Sequence, residues 1–272
     1  MLTPKARGGL SDQVFAALRD GAPGTDAADA HITLWALYEQ HYRGFGDVDV
    51  ALEWHPTLIA LRGELEEWFA EQLMDRFVPP ASTVPLAEAF FTYVEGHEGP
   101  SIATYVQREA SSDEVLDLLR ARSLYQLHEA DPTTWAVPRL PVRPQVALMA
   151  LQYDEYGGGN RRRQHAQLFR GMEARGLDPA FGAYVDDAPV DVLAQNNAMS
   201  LFGLHRRWRG AAVGHLAAFE AEAVHEPLAV REICLPLVAD EPALVDGVFH
   251  GAFTCLDLEA RTAQALLDAW AA

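Results

Sequence analysis

Apolar residues recur every three to four positions along most of the chain. In "HITLWALYEQHYRGF" (31–45), Leu34, Leu37, Tyr38, His41 and Phe45 fall on one stripe, the spacing of a helix with one face against a core. "TLIALRGELEEWFAEQLMDRF" (57–77) repeats the pattern, with Pro56 near its start and Pro79-Pro80 beyond its end. Proline takes those places at helix boundaries. The same period predicts helices over 85–95, 99–107, 113–130, 142–156, 161–175, 190–226 and 241–271. No run of alternating apolar and polar residues is long enough for a substantial sheet. These stripes have to bury against one another, so the expected class is all-α, a helical bundle.

Loops are expected at "DGAPGTDAAD", "DRFVPPASTVP", "DPTTWAVPRLPVRP" and "GLDPAFGAYVDDAP". None is long or polar enough to separate two domains. The expected organisation is a loosely held tail over residues 1–25 and a single helical domain over 26–272.

Composition narrows the class further. A hydrophobic share of 49% in 272 residues supplies a sizeable core. No apolar run approaches the ~18 residues of a membrane span, and the N-terminus lacks the apolar segment of a secretory signal. Cys234 and Cys255 do not make a disulfide framework. A cytoplasmic protein with no membrane association is the expectation. The net charge of −18 works against nucleic-acid binding, which needs positive surface. "NRRR" (160–163) and "HRRWRG" (205–210) are local basic exceptions, read first as solvated or salt-bridged faces.

Acids and histidines on core-facing helix positions carry the candidate chemistry, because a buried carboxylate is costly unless paired or metal-bound. Helix bundles hold two metals with such residues, often as Glu-x-x-His. Glu222 and His225 form one such motif in "EAVH", about 60° apart on a helix; alone it is a weak signal. Glu129 stands near the end of the apolar stretch "SLYQLHEADPTTW", where an inward and a solvent-facing orientation are equally open. Glu155 follows the apolar run "VALMALQYD", and His165 precedes "AQLF". Ten residues of straight helix would separate these two by ~15 Å and ~80°. The triplet Gly157–Gly159 lies between them, and a break there brings them together. A Gly-rich anion loop with Arg161–Arg163 is the weaker alternative, since no strand precedes it.

These segments together resemble a known family, the haem-oxygenase-like di-iron oxidases and oxygenases, also called iron-containing redox enzymes. The resemblance spans about residues 30–270. It rests on "LYEQHYRGF", "HEADPTTWAVPRLP", "QYDEYGGGNRRRQHAQLF", "MSLFGLHRRWRGAAVGHLAAFE" and "EAVHE". It implies a haem-oxygenase-like bundle of about seven core helices that holds two irons instead of haem. Carried over by residue, Glu129 corresponds to the first-helix carboxylate, and Glu155 and His165 to the second-helix pair. Glu220, Glu222 and His225 correspond to third-helix ligands. The family's third helix carries a further histidine four residues before Glu222, where this chain has Ala218. On one continuous helix Glu220 and Glu222 diverge by about 200°. Two accounts are open: a segment is missing from the sequence between them, which a break in the chain there would mark, or the chain is truly short and the second iron site incomplete. His215, seven residues before Glu222, is a substitute in principle. It and His205, His41, His97 and His250 are read first as structural.

The resemblance implies O2 activation at a carboxylate-bridged di-iron centre, with Glu155 as candidate bridge and catalytic residue. Asp154 and Asp131 are candidates to receive the second ring N–H of a ligating histidine. The implied substrate is a small amine or amino acid, to be N-oxygenated, desaturated or cleaved in specialised metabolism, its carboxylate held by Arg206, Arg207 or Arg209. An external electron donor and a homodimer complete the expectation. The competing readings are a non-catalytic helical binding protein with an incomplete metal site, and a haem protein using His31 or His41.

Overall fold

The computed structural model describes residues 2–17, 27–80, 84–223 and 229–271. Seven helices of thirteen residues or more carry the architecture among them: α1 (Ala27–Glu39), α2 (Pro56–Arg76), α3 (Ser112–Gln126), α4 (Val142–Glu155), α5 (Val190–Leu204), α6 (Arg209–Ala223) and α7 (Val245–Ala271). Short helices and 3-10 turns connect them, and no strand occurs among the described residues. The fold is all-α, as the periodicity requires. None of the described helices is long and apolar enough to cross a membrane.

Helix α5 is the central element. Its residues from Val192 to Gly203 are all buried, as expected of a helix surrounded by others. One part of the core gathers α1, α2 and α5 around Leu34, Tyr38, Phe69 and Leu193. The other joins α6, α7 and the 229–237 segment around Val213, Ala217, Val248 and Cys255. Helices α6 and α7 approach most closely where Gly214 meets the Val248 carbonyl and Gly251 meets that of Ala211. A methyl group at either glycine would collide with backbone.

Three expectations change. Residues Gly9–Ala17 form a short helix that buries Leu10, Val14 and Phe15, within the stretch 1–25 expected as a loose tail; residues 18–25 of that stretch lie outside the described residues. The Asp29 carboxylate accepts from the Leu10 and Ser11 amides and anchors its first turn. The helix expected over 190–226 is two helices, because His205 takes an extended conformation (φ −113°, ψ 123°). Long-range contacts end α5 there: the Arg139 guanidinium donates to the carbonyls of Gly203 and Trp135, and His205 meets Glu66 at 2.8 Å. Residues 161–175 contain only the short helix His165–Phe169 and a 3-10 turn over Arg170–Arg175.

Candidate metal centre

Helix α4 ends at Glu155, and the chain then turns through three glycines in the left-handed region, at φ 80°, 59° and 79°. Only glycine enters that region without steric cost. Gly157 also faces a crowding limit, since a Cβ there would lie 2.6 Å from the Gln164 amide nitrogen. The Tyr153 hydroxyl donates to the Gly158 carbonyl (2.9 Å), and the Arg162 amide donates to the Asn160 side chain (3.1 Å). The turn folds the chain back so that His165 starts a new helix beside the end of α4. The glycines break the helix, as their cost in a helix interior predicts.

The His165 ring lies between two carboxylates. Its Nδ1 is 3.2 Å from Glu155 Oε2 and its Nε2 is 3.2 Å from Glu129 Oε2. Glu129 sits just beyond α3, which stops at Gln126 rather than continuing to 130. The Tyr125 hydroxyl donates to Glu129 Oε1 (3.0 Å), and Gln126 Oε1 lies 2.6 Å from His165 Nε2. One ligand atom from each of Glu129, Glu155 and His165 falls within 4.8 Å of the other two. Burial pushes the Glu129 carboxyl up to about 7, against the pull of His165. The contact with Glu155 raises His165 above its ordinary value.

Glu220, on α6, stands at the edge of this group but outside the three-residue cluster. The Ala229 amide donates to its Oε2 (3.3 Å). Burial raises its carboxyl; that hydrogen bond opposes the rise, and the nearby Glu155 charge adds to it. Helix α6 runs unbroken through Glu220 to Ala223, so the chain break expected of a missing segment does not occur. The Glu222 side chain and all of His225 lie outside the described residues. His215 faces a small cavity of about 20 Å³ that Glu129, Tyr125, Phe202, Leu216 and Phe219 also line, room for about one water. Burial pushes His215 down to about 4, and its Nε2 has no hydrogen-bond partner.

The other candidates lie elsewhere. Asp131 accepts from Tyr156 (2.6 Å) and Arg43 (2.5 Å), away from His165, and Asp154 is exposed. Neither receives the His165 ring N–H. His31 packs against Trp68 and Phe69, and His41 lies against Trp54 and Arg62. Arg209 pairs with Glu241, while Arg206 and Arg207 are exposed. Tyr125 and Gln126 escaped the sequence reading, although they precede Glu129 by four and three residues. Those are the two spacings that share a helix face.

The donor set fits a metal ion. Glu129 Oε2 and Glu155 Oε2 are both buried without a hydrogen-bond partner. Among the described residues no lysine or arginine pairs with either; their only ion-pair contact is His165. Two carboxylate oxygens and an imidazole suit iron, among other divalent transition metals.

Comparison with known proteins agrees with that chemistry. Residues 116–223 match the family described as iron-containing redox enzyme, a span that includes Glu129, Glu155, His165 and Glu220. No curated protein matches the chain.

Proposed function

We propose, from the match of residues 116–223 to the family described as iron-containing redox enzyme, a non-haem di-iron oxidase or oxygenase that uses O2. The observation that carries this reading is the Glu129–Glu155–His165 cluster, with two buried carboxylate oxygens that have no hydrogen-bond partner and no lysine or arginine ion pair among the described residues. In it Glu129, Glu155 and His165 would hold iron. Glu220, whose carboxyl feels the Glu155 charge, would be a further carboxylate for a second ion, and Glu155 would be shared between the two. When bound, iron supplies the redox equivalents for O2 chemistry on a small amine or amino acid, with an external electron donor restoring it.

The surrounding side chains have definable tasks. Tyr125 donates to Glu129 Oε1 and so fixes which oxygen faces His165. Gln126 Oε1, 2.6 Å from His165 Nε2, is placed to set the tautomer and orientation of the ring that would hold the metal. Phe202, Leu216 and Phe219 keep bulk water from the inner side of Glu129.

The test loads the protein with Fe(II) under anaerobic conditions, counts iron per chain after desalting, and then admits O2. The expected result is one to two irons per chain, a transient visible absorption and O2 consumption, all lost in Glu155→Ala. Iron that washes out of the unaltered protein, or equal behaviour of the two, overturns the reading. The second reading, a helical binding protein with an incomplete metal site, draws on Ala218 standing where a third-helix histidine is expected. Retained iron without O2 consumption would favour it.

A further inference from the structure

The cavity on the inner side of Glu129 ends at a histidine that the metal cluster leaves out. His215, on α6, is 5% exposed, and its Nε2 is buried without a hydrogen-bond partner. Its ring meets that of Phe202 edge-on, 6.2 Å between centroids, and Leu216 and Phe219 line the same cavity. An apolar side chain would suit these surroundings better, because a buried nitrogen without a partner costs its full desolvation. An orphaned polar atom in a core calls for a water, an ion or a catalytic use. The polar residues lining the cavity are Tyr125, Glu129, Thr133 and His215. The Tyr125 hydroxyl is committed to Glu129 Oε1. Among the described residues no ion pair joins His215 to Glu129. The ring also stands outside the group whose ligand atoms lie within 4.8 Å of one another, so a gap separates it from the carboxylate.

We propose that this cavity is a binding site for one water molecule held between His215 Nε2 and the Glu129 carboxylate, and that His215 positions Glu129 through it. Size and chemistry both fit. The cavity of about 20 Å³ has room for about one water. A buried water takes two to four polar partners; the ring nitrogen and the carboxylate supply two, and Thr133 lines the same space. Polar groups too far apart for a direct bond are joined by a bridging water. Water serves either tautomer of the ring, since it can accept from an Nε2–H or donate to a bare Nε2 while donating to the carboxylate. Tyr125 then fixes one oxygen of Glu129, His165 faces the other, and the water ties the carboxylate to α6. The effect of His215 on iron rests on the metal reading above; the water site does not.

A crystal structure of the metal-free protein, at a resolution that shows ordered water, tests the site directly. The expected result is one water within about 3.2 Å of both His215 Nε2 and a Glu129 oxygen. An empty cavity, or a water on only one of the two, overturns the proposal. Iron affinity tests the positioning role. His215→Phe fills the cavity and removes the nitrogen, and should bind Fe(II) about tenfold or more weakly, with unchanged far-ultraviolet circular dichroism. His215→Gln keeps a polar atom toward the cavity and should recover most of that loss. Equal affinity of His215→Phe and the unaltered protein overturns the positioning role. So does a His215→Gln protein as weak as His215→Phe. The crystal readout needs no iron, so it decides the water site even where the unaltered protein retains no metal and the metal reading fails.

Discussion

Two groups in this bundle look alike on paper, each a buried acid touching a half-exposed histidine. Around Glu66, the side chain is 4% exposed, Arg62 lies at 3.2 Å and His205 at 2.8 Å. Around Glu129 and Glu155, 13% and 26% exposed, His165 is the sole ion-pair contact among the described residues. The first group is closed: the guanidinium is permanently cationic and balances the carboxylate. The second holds two acids against one imidazole and is electrostatically incomplete as it stands. A buried charge has to be paired, protonated or bound to metal. What separates an ion pair from a metal site here is the missing arginine, not the presence of Glu and His.

Exchanging the roles of the two groups gives the largest expected effects. Glu155→Ala should lower iron affinity by more than the ~10–100-fold that loss of an outer partner costs, with little loss of stability in the metal-free protein. Glu66→Ala should do the reverse. It strands Arg62, and breaking one side of a buried pair costs about 3–5 kcal/mol, roughly 10 °C in Tm for a chain of this size. Iron content and thermal melts on both variants check the contrast. A Glu66→Ala protein that loses iron as fully as Glu155→Ala would erase it.

The turn that closes the metal group supplies a sharper, smaller test. Gly157→Ala forces an alanine to φ 80° and drives its Cβ toward the Gln164 amide. The strain is about 1–3 kcal/mol, and relief of it displaces His165, so iron affinity should fall by about tenfold or more, one factor per ~1.4 kcal/mol. Gly63→Ala, in the interior of α2 with open space around it, should stabilise the protein by up to about 1 kcal/mol. Equal effects of the two substitutions on iron binding would remove the argument that the turn positions His165.

Parts of this site were legible in the chain, for a physical reason. Gly157–Gly159 in an apolar helical context signals a break because glycine is costly inside a helix, and that alone predicts that Glu155 and His165 approach. The helices around them follow from local apolar period. Contacts made from far away in sequence left no local trace. Arg139 and Glu66, which end α5 at His205, are 64 and 139 residues from the carbonyl and the ring they touch. The pairing of Glu66 with Arg62 was readable as an i, i+4 spacing. Its burial was not, because the α2 stripe does not say which charged residues lie under neighbouring helices. The third-helix set read less well: Glu220 reaches the edge of the cluster, and the helix passes Glu222 without the break that a missing segment would leave.

Glu39 gives the smallest expected effect and a third solution to the same problem. It is 2% exposed, and burial pushes its carboxyl up to about 8 despite the opposing pull of Arg43. With no iron cluster around it, the group stays protonated in the folded chain at neutral pH. The unfolded chain releases that proton near 4.5, so between about 4.5 and 8 the folded state binds more protons. Stability from this group therefore falls as pH rises through that window. Glu39→Gln keeps the shape and removes the titration. The difference in Tm between variant and unaltered protein should grow in favour of the variant from pH 5 to pH 8 and then level off. If Glu39→Gln tracks the unaltered protein at every pH, then Glu39 is ionised in the fold, and a counter-charge has to reach it as Arg62 reaches Glu66.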